Sequence, residues 1–96
     1  RWIYVDNSAG DVTLNLRGDW KRDLNAIVDV SMGNIELMLP SETGVRIRAE
    51  LDLGTIDQTG LKRMGEYYVN EAFGRSESTL YLDLSADMGN IEMEVE

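Results

Sequence analysis

Three carboxylates, Glu36, Asp57 and Glu92, each stand three residues after a glycine in a short block that this 96-residue chain repeats. If copies of the block stack as neighbouring strands, two or three acidic side chains enter one outward column, with Thr13 in the remaining position. Like charges at strand spacing repel, and a hard cation such as calcium, which takes oxygen ligands, would relieve the repulsion. Basic side chains of adjoining strands would do the same without a metal. Arg46 and Arg48 are placed for that task, so the expectation is a column balanced without metal or cofactor. Two carboxylates roughly 5–10 Å apart are also the equipment of glycoside hydrolysis. That chemistry needs a water-excluding cleft able to shift one carboxyl pKa, and a chain this short has too little material for deep walls. No catalytic residue is assigned, and enzymatic activity is not expected.

Composition narrows the chemistry further. The sequence has no histidine and no cysteine, which removes the commonest general base, the commonest zinc ligands and any thiol nucleophile or disulfide. Eighteen acidic against nine basic residues give a formal charge of -9. A chain so acidic is not attracted to nucleic acid or to an anionic membrane surface. No apolar run approaches the roughly 18 residues of a membrane span, and Arg1-Trp2-Ile3 has no signal-peptide layout.

Two further motifs point to contact rather than catalysis. Tyr67, Tyr68 and Phe73 are concentrated between Gly65 and Gly74, and aromatic side chains on a projecting loop can anchor a protein partner or stack on sugar rings. The competing expectation is that they fold down and plug one open end of the domain, as Trp2 and Trp20 would at the other. Arg17-Gly18-Asp19 spells an integrin-recognition tripeptide, but three residues recur by chance, and a turn between Leu16 and Trp20 is the simpler account.

The elements that must position these residues follow from the repeat. Met-Gly-Asn-Ile-Glu occurs at 32–36 and again at 88–92, and weaker copies surround Gly10 and Gly54. Aligned on glycine without gaps, the four blocks run Val5 to Val12, Val28 to Ile35, Ala49 to Ile56 and Leu84 to Ile91. The residue after glycine is Asp11, Asn34, Thr55 or Asn90, and the next is Val12, Ile35, Ile56 or Ile91. Apolar and polar residues alternate on both sides of the glycine, the signature of two half-buried strands meeting at a bend. Val45 to Leu53 and Leu80 to Met88 alternate most clearly, with Leu53 and Met88 expected inward.

The glycines at 10, 33, 54 and 89 lie 23, 21 and 35 residues apart, so the third interval carries extra chain, placed at 64–78 as an excursion. Turns are expected at 17–19, 40–44 and 59–60. No segment has a helical period. The expected fold is all-β, a β-solenoid or single-stranded β-helix-like stack of about four short coils. It forms a single domain, 1–96, read as a fragment of a longer protein because the chain opens and closes inside apparent strands. The exposed ends of such a stack invite edge pairing. The expected partners are therefore a protein or a second copy bound through the coil ends.

Asp11-Val-Thr-Leu-Asn-Leu, Trp20-Lys-Arg-Asp-Leu-Asn, Met32-Gly-Asn-Ile-Glu-Leu-Met-Leu-Pro, Gly44-Val-Arg-Ile and Tyr68-Val-Asn together resemble the LiaF-like C-terminal and toast-rack group of bacterial domains. The resemblance covers nearly the whole chain from about Val5. It implies a β-solenoid-like domain of the bacterial cell envelope, associated with the membrane through segments outside this sequence. It implies a regulatory, protein-binding part in the response to cell-wall stress, or an adhesin-like part that binds extracellular carbohydrate or protein. It brings no catalytic residues.

Overall fold

The structure, a computed structural model, describes residues 2–18 and 20–96. Its strands are β1 (Trp2–Ala9), β2 (Val12–Asn15), β3 (Leu24–Met32), β4 (Ile35–Leu39), β5 (Gly44–Thr59), β6 (Lys62–Met64), β7 (Tyr67–Val69) and β8 (Thr79–Val95). The chain is all-β, with no helix among the described residues. All the strands belong to one mixed sheet that does not close into a barrel.

Each repeat supplies a strand before its glycine and a strand after it. In β5 and β8 the two are continuous through the corner. Pairing of the four repeats is parallel, with Val5 beside Val28, Val28 beside Leu84, and Leu84 beside Ala49. The gapless alignment on glycine is thus the register of the sheet. Beyond the corner the same register holds, with Val12 beside Ile35, Ile35 beside Ile91, and Ile91 beside Ile56.

The order of the repeats differs from that of a solenoid. Strands run β1-β3-β8-β5-β7-β6, so the fourth repeat lies between the second and the third. The reason lies in the repeats and their connections. Equivalent blocks fit one another in the same register whatever their order, so order is left to the connecting chain. The excursion after β5 is a hairpin, β6 and β7, joined at Gly65-Glu66, and β7 pairs antiparallel with residues 46–48 of β5. It covers part of one edge of β5. The returning chain then occupies the other edge, where β8 also reaches the open side of β3.

The corner is a row of glycines. Gly33, Gly89 and Gly54 have φ of +143°, +141° and +140°, values that L side chains rarely adopt. A Cβ on Gly33 would coincide with the carbonyl oxygen of Gly10, one on Gly89 with that of Gly33, and one on Gly54 with that of Gly89. The residues that follow form a second ladder. Asn34 N donates to Asp11 Oδ1 (3.0 Å), Asn90 N to Asn34 Oδ1 (3.0 Å), and Thr55 Oγ1 and N to Asn90 Oδ1 (2.8 and 3.3 Å). Polar groups that a bend would leave without partners are satisfied from rung to rung.

The corner also shifts the alternation. In the second and fourth repeats interior positions are even before it (Leu24, Ala26, Val28, Val30; Leu80, Leu82, Leu84, Ala86) and odd after it (Ile35, Leu37, Leu39; Ile91, Met93), and all of these join one buried cluster. Met32, Met88 and Leu53 fall at the change of phase. They are exposed, contrary to the inward position that simple alternation gives Leu53 and Met88. With Ala9 they make a row across the outside of the bend.

Candidate functional site

The acidic column forms as the repeat implies. Thr13 is beside Glu36, Glu36 beside Glu92, and Glu92 beside Asp57, an order fixed by the insertion of the fourth repeat. Among the described residues no group of three or more Asp or Glu side chains is arranged to hold a metal ion. Arg46 and Arg48 are not beside this column. They lie before the corner, paired in register with Tyr81 and Asp83, because the bend separates the two halves of β5. Arg17 does reach the acidic half, its Nη2 3.7 Å from Glu94 Oε1.

A column of this kind is sensitive to screening rather than to a specific ion. The melting midpoint is expected to be the same in millimolar calcium and in chelator at constant ionic strength, and to rise when monovalent salt is added. A rise specific to calcium, measured by differential scanning fluorimetry, would restore the metal site.

The three aromatic residues of the excursion separate. Tyr68 is half-buried and packs on the core, with Arg63 Cζ 5.1 Å from its ring centroid and Arg63 Nη1 donating to its hydroxyl (3.4 Å). Phe73 lies in the turn after β7, half-buried, where the chain packs so closely on β5 that a Cβ on Gly44 would come within 2.9 Å of Phe73 Cα. Tyr67 turns to a groove shared with Arg46 and Tyr81. Its ring centroid is 4.4 Å from the guanidinium carbon of Arg46, which is also 4.8 Å from that of Tyr81. At the other end of the domain Trp20 folds down, donating from Nε1 to Leu16 O (2.7 Å), whereas Trp2 is 70% exposed and plugs nothing. In the Arg17-Gly18-Asp19 motif, Asp19 lies outside the described residues.

Arg46 and Tyr67 belong to a groove of about 220 Å³ on the outer face of the sheet before the corner. Trp2, Asn25, Tyr81 and Asp83 also line it. Its floor is two rows of register partners. Trp2, Asn25, Tyr81 and Arg46 stand side by side on β1, β3, β8 and β5, and two residues further along come Ile27, Asp83 and Arg48. The glycine alignment contains this groove when carried back to the eighth residue before each glycine, where Trp2, Asn25, Arg46 and Tyr81 fall in one row.

A folded row of glycine-cornered parallel repeats with an antiparallel hairpin on its edge is consistent with a toast-rack or adhesin-like fold. The particular likeness is to a putative cell adhesion protein from Clostridium sporogenes. The two superpose with a TM-score of 0.89 at 25% sequence identity, over 94% of this chain and 43% of that one. This chain therefore spans less than half the length of that protein. No family model matches the sequence, the LiaF-like family included, and no curated protein does. Among the described residues no helix is long and apolar enough to cross a membrane.

Proposed function

We propose that this domain is a non-catalytic recognition module of the bacterial cell envelope, adhesin-like, that binds extracellular carbohydrate or protein. The observation that carries this reading is the likeness of nearly the whole chain to a putative cell adhesion protein at a TM-score of 0.89. The surface supports it. A sequence without histidine or cysteine offers little for acid–base or nucleophilic chemistry. It does present a groove lined by aromatic, amide, guanidinium and carboxylate groups. Such mixed apolar and polar surfaces recognise ligands without transforming them. The regulatory role in cell-wall stress that the sequence resemblance implies has no separate observation in its favour.

The test is to present the folded domain to an array of bacterial and host glycans and to immobilised extracellular-matrix proteins. Saturable binding to a defined glycan or matrix protein is the expected result. A folded domain that binds none of them would sink the recognition reading.

A further inference from the structure

We infer that the groove between Trp2, Arg46 and Tyr67 is a binding site for a carboxylate-bearing sugar, a uronic acid or similar acidic pyranose displayed on a short glycan. This assignment rests on the recognition reading above and specifies its ligand.

Arg46 is the first observation. Its guanidinium lies over the rings of Tyr67 and Tyr81, at 4.4 and 4.8 Å from their centroids. Cation–π contact draws on the charge of the ion and leaves the five N–H donors of the fork for acceptors. Among the described residues the Arg46 side chain makes no ion pair and no hydrogen bond, in a chain that carries twice as many acidic as basic residues. Its neighbour Arg48 differs, since its Nη2 is 3.1 Å from Glu50 Oε1. The two tyrosines therefore hold Arg46 in a fixed place with its donors unspent. A planar fork so held matches a carboxylate bidentately.

The rest of the groove selects what carries that carboxylate. Trp2, 70% exposed, gives a flat apolar surface on which the face of a sugar ring can stack. Asp83 and Asn25 line the same groove and supply acceptors and donors for hydroxyl groups. A volume of about 220 Å³ is below the roughly 300–1,000 Å³ of clefts for drug-sized ligands, which suits one ring with its neighbours outside. The presence of Asp83 and the overall charge of -9 oppose a densely charged polymer. An isolated carboxylate on a largely neutral, hydroxyl-rich ligand satisfies both the cation and the acids around it.

The experiment is isothermal titration calorimetry of the chain with an acidic trimer, a galactose trisaccharide in which one terminal ring is galacturonic acid, with the matching neutral galactose trimer and with inorganic phosphate. Binding of the acidic trimer at least about tenfold tighter than the neutral one, with no saturable heat from phosphate, is expected from a charge-assisted, bidentate contact. Trp2→Ala should weaken that binding about tenfold or more, as loss of one aromatic stacking surface does, while leaving the melting midpoint unchanged. Arg46→Lys, which keeps the charge and loses the fork, should reduce the preference for the acidic trimer.

No saturable heat from the acidic trimer overturns the assignment, and so does equal heat from phosphate or an undiminished affinity in Trp2→Ala. A glycan or protein found on the arrays whose binding survives both substitutions would leave the recognition reading standing and remove this groove. Acidic-trimer binding by a domain that binds nothing on the arrays would keep the groove and remove the adhesin reading.

Discussion

Replacing Gly89 with alanine is expected to unfold this domain or to lower its melting midpoint by about 15 °C or more, whereas the same change at Gly10 should be tolerated far better. Gly89 lies in β8, the strand paired on both sides, and its φ is +141°. Forcing a residue with a Cβ into such a conformation costs about 1–3 kcal/mol in itself. The new methyl group would also coincide with the carbonyl oxygen of Gly33, so the rungs must part and the interstrand bonds at the corner must lengthen. Together these place the loss at about 4 kcal/mol or more, in the range reserved for such clashes. A domain of this size has about 5–15 kcal/mol in hand, and each kcal/mol moves its midpoint by about 4–8 °C.

Gly10 provides the comparison. Its φ is also positive, at +112°, but a Cβ there would meet nothing closer than Asn7 Nδ2 at 3.5 Å, an ordinary contact. It sits on the end rung and carries only the backbone penalty. Thermal melts of Gly33→Ala, Gly54→Ala, Gly89→Ala and Gly10→Ala followed by circular dichroism check the ranking. Equal midpoints for Gly89→Ala and Gly10→Ala would show that dihedral preference alone, and not the interlocked carbonyls, places glycine at the corner.

The glycine row also shows what the sequence makes legible. Four blocks aligned without gaps predict which residues lie side by side, and they do so because parallel strands of equal register are what a repeat encodes. The acidic column Glu36, Glu92 and Asp57 was readable for the same reason. The order of the rungs was not, because nothing in Met-Gly-Asn-Ile-Glu distinguishes one neighbour from another. The interval of 35 residues before Gly89 signals extra chain, and the consequence of that chain, β7 covering part of one edge of β5, depends on a three-residue pairing too short to have a period. Alternation along β5 puts Arg46 and Arg48 beside the acidic column because it says nothing of the bend at Gly54 that divides the strand. The exposed Met88 and Leu53 have the same cause. Period two holds on each side of the corner and changes phase across it. Tyr67 stands out in an aromatic-rich loop, whereas Trp2 and Tyr81, which complete the groove, lie in strands that read as ordinary alternating sheet.

Asn70 is the second position where one side chain carries a disproportionate share of the fold. It is almost wholly buried, and its amide bridges two segments that the sequence leaves as a turn and an excursion. Its Nδ2 donates to Pro40 O (3.0 Å) and Thr43 O (2.8 Å), and its Oδ1 accepts from Val45 N (2.9 Å). These bonds fasten the start of β5 to the end of β7. Asn70→Ala strips partners from two carbonyls and one N–H in a buried site, where each orphan costs about 1–3 kcal/mol. Water can enter the space left by the amide and recover part of this, so a loss of about 3–4 kcal/mol is expected.

Asn70→Asp tests the direction of the bonds. The carboxylate keeps the acceptor for Val45 N but faces the oxygens of Pro40 and Thr43 with no proton to offer. Burial and those oxygens would raise its pKa in the folded state above the ordinary carboxylate value. The folded form then binds the proton more tightly than the unfolded form does. The deficit relative to the parent is therefore greatest at neutral pH, and it narrows as pH falls through that raised pKa, because the protonated acid can donate to one carbonyl. Denaturant unfolding of both variants beside the parent at neutral and mildly acidic pH measures this. No deficit for Asn70→Asp at neutral pH would mean that the donors of the native amide contribute nothing, and that Asn70 holds β5 and β7 together through its oxygen alone.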